Sequence, residues 1–156
     1  MHVPRTCLKV TLAFCAALVL AAPASASSPP SPPFTVSGLS IAQPVGAFGA
    51  IPVGSCNLVT YDGCQPKTFV LKNVGSKTIF INGFGIANAA AGNFALAAGT
   101  VGSGCEFHWA LFSGSSCTID VVASPPAPGL ATNNLDIWFE DQLSPIARVP
   151  LLATGV

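Results

Sequence analysis

The sequence predicts an all-β chain, folded as an antiparallel sandwich of two packed sheets. Three observations carry that expectation. Apolar runs of four to nine residues, rich in Val, Ile, Phe and Thr, are separated by turn residues. The 15 Gly and 14 Pro punctuate the chain too often for a helical bundle. Several runs also alternate with a period of two. Leu135, Ile137 and Phe139 share one face, and Asp136, Trp138 and Glu140 share the other. Cys117, Ile119, Val121 and Ala123 alternate in the same way with Thr118, Asp120 and Val122.

In chain order, residues 1–26 read as an address. Arg5 and Lys9 give a positive start, Val10 to Ala22 form an uncharged, mostly apolar run, and Ala24-Ser25-Ala26 offers a cleavage site. This is the pattern of a secretory signal peptide. The apolar run is shorter than the roughly 18–20 residues that a membrane span needs, which disfavours a retained anchor. Cys15 follows Phe14, where a lipoprotein signal would need a small residue. Residues 27–33, SSPPSPP, form an extended Pro/Ser-rich spacer. The domain is then residues 34–156. Its expected strands include Lys67–Val74, Thr78–Ile86, Asn93–Ala97, Cys117–Ala123, Asn134–Glu140 and Ile146–Ala153. Gly92 and Gly99 favour a loop over a helix in the Ala-rich stretch Ala87–Ala98. Seven or so such strands imply a sandwich.

The 156 residues are 51% hydrophobic and only 8% charged, against about 25% charged in an ordinary soluble domain. Six cationic side chains balance six anionic ones, so a basic nucleic-acid binder is excluded. Without the leader, four cationic and six anionic residues leave a net charge of −2. Cys56, Cys64, Cys105 and Cys117 then remain, and an even number in an exported chain reads as disulfides. Four cysteines allow three pairings. The local one, Cys56–Cys64 with Cys105–Cys117, closes two short loops and is the pairing expected here. The location follows as secreted, periplasmic or cell-surface.

FVLKNVGSKTIFINGFGI resembles the B–C region of bacterial choice-of-anchor D domains, which are similar to ASPM–SPD-2–Hydin (ASH) modules. Phe69, Leu71, Asn73, Gly75, Ser76, Ile79 and Ile81 carry the pattern of strand, Asn-x-Gly-Ser, strand. CEFHWALFSGSSCTIDV and the ending VPLLATG resemble later elements of the family, and FGAIPVG an early one. The likeness covers about residues 45–155. Two features depart from it: Ser55–Gln65 looks like an insertion, and Ala153 stands where the terminal motif has Gly. The resemblance implies an immunoglobulin-like antiparallel sandwich of seven to eight strands. It also implies binding or scaffolding roles, without catalytic residues or cofactor.

Local chemistry points the same way. Cys105, His108 and Cys117 could begin a zinc set, but a structural site wants four ligands, often in tight pairs. No G-x-S-x-G elbow accompanies His108, so a hydrolase near it has little support. Asp136 and Glu140, four residues apart on one strand, would stand about 13 Å apart, beyond the roughly 5–9.5 Å of glycoside hydrolysis. The chain is therefore expected not to be an enzyme, and no cofactor or metal is expected.

The sharper signal is apolar side chains on an outward face. If Ile79 and Ile81 point inward, Phe80 points out; the same parity turns out Trp138 and Leu152. In an immunoglobulin-like order their strands share one sheet. Phe80, Trp138 and Leu152 are therefore expected to form one apolar contact patch, unless a loop covers it. The expected function is an exported binding or structural module of the cell envelope or secreted fraction. Its partner would be a protein or a second copy of the chain. One alternative is a carbohydrate-binding module, with Trp138 stacking on a sugar and Asp136 or Glu140 accepting its hydroxyls. Another is a pilus-type or chaperone-like assembly subunit exchanging strands through an open edge.

Overall fold

A computed structural model describes residues 34–36, 38–97, 104–139 and 147–156. The expected leader and spacer lie outside the described residues, as does Glu140. The strands are β1 (Phe34–Val36), β2 (Leu39–Ile41), β3 (Gly46–Ile51), β4 (Lys67–Asn73), β5 (Ile79–Ile86), β6 (Phe94–Leu96), β7 (Trp109–Leu111), β8 (Ser116–Ala123), β9 (Gly129–Phe139) and β10 (Ala147–Gly155). One turn of 3-10 helix, Ala89–Ala91, stands between β5 and β6. Two five-stranded sheets form, in the orders β1-β2-β4-β8-β6 and β3-β10-β9-β5-β7. The architecture is an immunoglobulin-like sandwich.

The period-two runs build its interior. β4 turns in Phe69, Leu71 and Asn73; β8 turns in Cys117, Ile119, Val121 and Ala123; β10 turns in Ala147, Val149, Leu151 and Ala153. These meet Leu135, Ile137 and Phe139 of β9 and Ile79 and Ile81 of β5 in one continuous core. Fully burying a side chain of this size contributes about 1.5–3 kcal/mol, so the alternation specifies which face each sheet hides.

Three features differ from the sequence expectation. There are ten described strands, not seven or eight, because β1, β2 and β7 have three residues each, too few to show a period. β9 starts at Gly129, not Asn134, because pairing to β10 from Gly129↔Gly155 onward orders a stretch that lacks its own alternation. β3 runs parallel to β10, whereas the other pairs of described strands are antiparallel. The chain crosses at residues 42–45 from the sheet that holds β2 to the sheet that holds β3. The crossing is held where Gln43 Oε1 accepts from Val70 N at 3.0 Å, and Ala42 N donates to Val70 O at 3.1 Å.

β5 carries a bulge. Ile81 stands opposite Phe139 but Gly83 stands opposite Trp138, so Asn82 is the extra residue. The inserted residue reverses the facing of the rest of the strand, and Phe84 and Ile86 pack inward.

Candidate contact surface

The four cysteines pair as Cys56–Cys64 and Cys105–Cys117, with Cα atoms 4.5 and 5.0 Å apart. The second bridge takes both thiols that the zinc alternative would need. Among the described residues no helix is long and apolar enough to cross a membrane.

β5, β9 and β10 share one sheet, and Phe80, Trp138 and Leu152 all point away from the core. They do not make one patch. Leu152 stands opposite Thr132, six residues from Trp138 along β9, which is about 20 Å at strand rise. Polar rows intervene: Pro150 opposite Asn134, then Arg148 opposite Asp136. Arg148 Nε and Nη2 donate to the two carboxylate oxygens of Asp136 at 2.7 and 2.9 Å. The hydrogen bond first, and the carboxylate charge second, raise the Arg148 guanidinium above its ordinary range. Asp136 is nearly buried while Arg148 is largely exposed. Arg148→Gln is therefore expected to lower the thermal midpoint, because it leaves a buried carboxylate without its counter-charge. Adding Asp136→Asn should recover part of the loss; an additive double variant would show that the pair is not coupled. With both oxygens engaged, Asp136 is poorly placed to accept sugar hydroxyls.

Trp138 is half-buried because its ring lies on the strand beside it. Ring carbons stand 3.9 and 3.7 Å from where side chains at Gly83 and Gly85 would begin. Phe80 is more open, at 52% exposure. It stands opposite Ala110 of β7, the last strand of its sheet.

Around β7 the structure gathers aromatic residues that sequence reasoning passed over. Trp109 is 41% exposed and Phe112 is 63% exposed. Phe107 stacks on Phe84 with centroids 5.0 Å apart and planes within 3°. The available signal was the aromatic density of CEFHWALF inside a segment that one disulfide closes. Phe80 and Phe112 fall on the same outward side, since Leu111 faces inward opposite Ile79.

Asn73 holds this segment. Its side chain is fully buried; Nδ2 donates to Lys77 O at 2.7 Å and to Leu111 O at 2.8 Å, and Oδ1 accepts from Gly75 N at 2.9 Å. Its backbone donates to Ser115 O and accepts from Gly114 N. Ser113 Oγ adds a bond to Gly75 O at 2.7 Å. The Asn-x-Gly-Ser element thus ties β4 of one sheet to β7 of the other.

No protein-family model matches the sequence, and no curated protein matches it. Solved structures do match. One is the VesB protease of Vibrio cholerae, with a TM-score of 0.56 and 17% identity over 76% of this chain and 32% of that one. Another is the secreted serine protease VesC of Vibrio cholerae, with a TM-score of 0.52 and 17% identity over 76% of this chain and 23% of that one. An ASH/PapD-like domain of human CEP192 also matches, with a TM-score of 0.42 and 12% identity over 92% of this chain and 97% of that one. The chain thus spans a third or less of the two protease chains, and the likeness shows the fold alone.

That likeness corrects the expectation that the chain is not an enzyme. The same sandwich forms part of chains that are proteases.

Proposed function

We propose that this is an exported protein of the choice-of-anchor D or ASH type, which contacts a protein partner through the apolar surface on and beside β7. The observation that carries this reading is the exposure of Phe80 and Phe112 on one outward side of a terminal strand that is itself fixed by Asn73 and by Cys105–Cys117, with Trp109 exposed on the other side of that strand. Exposed apolar patches often mark contact sites. Export is supported by the basic, apolar and small-residue sequence of the leader and by the two disulfides.

A photo-crosslinking amino acid placed at position 80 or 112 is expected to give discrete protein adducts in the native envelope or culture fluid. The same group at Lys72, on the outer face of the other sheet, should give none. Adducts equal at all three positions, or absent from 80 and 112, would remove the reading. Adducts of twice the chain mass would identify the partner as a second copy, which is the assembly-subunit alternative.

A further inference from the structure

We infer that the cleft between β3 and the Cys56–Cys64 loop is a binding site for a small amphipathic anion: an apolar, preferably aromatic, body carrying one carboxylate. This site is separate from the surface around β7. The cleft encloses about 430 Å3, within the range of small-molecule sites. Phe48, Ile51, Pro52 and Pro66 give it apolar walls. Among the described residues, Lys67 is the one cation in its lining and no carboxylate lines it.

The charged group is fixed in place. Lys67 Nζ donates to Ala47 O at 2.8 Å and stands 5.9 Å from the centre of the Phe48 ring. An ammonium has three donors, and Ala47 O takes one of them. Phe48 is braced from behind by Phe94, with ring centres 5.5 Å apart at 60°. An aromatic acid entering here would place its ring beside Phe48 and its carboxylate on Lys67.

The facing wall is built at a conformational cost. Residues 55–65 are the segment that reads as an insertion, and of these only Cys56 is buried, with Val59 86% exposed. The loop therefore does not serve to cover the core. Yet a disulfide closes it, Tyr61 sits in the left-handed region at φ 62°, and a side chain at Gly63 would strike Ser55 O. Tyr61 Oη donates to Leu96 O at 2.9 Å, and Ser124 Oγ donates to Cys56 O at 2.6 Å. Backbone held in a disfavoured conformation by surrounding bonds points to a role for the shape it makes. Here that shape is the cleft.

The test uses isotope-labelled protein titrated with 4-phenylbutyrate and with its neutral amide, 4-phenylbutyramide. The acid is expected to shift the amide signals of Ala50, Gly63 and Lys67 saturably, and to bind about tenfold more tightly than the amide, as a charge-assisted hydrogen bond requires. Lys67→Met should bring the acid down to the affinity of the amide and leave the β9 and β10 signals in place. Ala50→Trp, which fills the cleft from an exposed position, should abolish binding of both. Equal affinity for acid and amide, shifts confined to β7, no saturable shift, or binding retained by Ala50→Trp would each overturn the inference.

Discussion

Asn73→Ala is expected to cost about 3 kcal/mol of folding stability, a large share of what a domain of this size possesses. The side chain it removes is fully buried and makes three hydrogen bonds. Losing it leaves Leu111 O buried without that donor, and each such orphaned group costs about 1–3 kcal/mol. Lys77 O and Gly75 N lie nearer solvent, and water can replace part of what they lose. Asn73→Asp should be worse, since it turns an oxygen toward two carbonyl oxygens where an amide donated. Urea denaturation should show a lower midpoint at an unchanged slope. Amide exchange should also speed up across residues 109–116, because Asn73 is what ties that segment to β4. A loss below about 1 kcal/mol, outside the range for a buried unsatisfied group, or exchange unchanged in β7, would show that the segment is held by other means.

This residue also shows what could be read before the structure. The Asn-x-Gly-Ser element was visible between two apolar runs, and the facing of β4, β8 and β10 followed from strict alternation. Parity assigns a face without needing a partner strand. It does not assign a position along the sheet, which depends on register. Parity alone therefore turns Phe80, Trp138 and Leu152 to one side but does not make them neighbours: the pairing of Leu152 with Thr132 sets it far from Trp138. Gly83, beside the bulge at Asn82, is the kind of residue that accompanies one, but nothing in the sequence fixes which residue is the extra one, so the inward turn of Phe84 is not legible. β7 is three residues long, and its neighbours Phe107 and Phe112 lie in turns, so no period announced an aromatic surface there. The Cys56–Cys64 cleft depends on a loop whose path is set by bonds to Leu96 and Ser124, residues distant in sequence.

Removing the Cys105–Cys117 bridge by the paired change Cys105→Ala/Cys117→Ala is expected to cost about 3 kcal/mol, from the chain entropy regained by a loop of this length. The bridge spans a sequence separation of 12 and encloses β7 with Trp109 and Phe112. Both half-cystines are buried, and Cys105 N also donates to Thr118 O at 2.8 Å, so the loop is stitched to β8 beside the bridge. The loss should therefore concentrate near the proposed contact surface, with faster amide exchange in β7 and weaker crosslinking from position 112. The Cys56–Cys64 bridge provides the internal control. Its separation of 8 predicts a comparable entropic cost, about 2.6 kcal/mol. Its loop lies off the core, however, and makes no bond to β7. Cys56→Ala/Cys64→Ala should leave β7 exchange unchanged while abolishing binding of 4-phenylbutyrate in the cleft. If both paired variants altered β7 equally, the two bridges would act on stability as a whole, and the local roles assigned to them would fall.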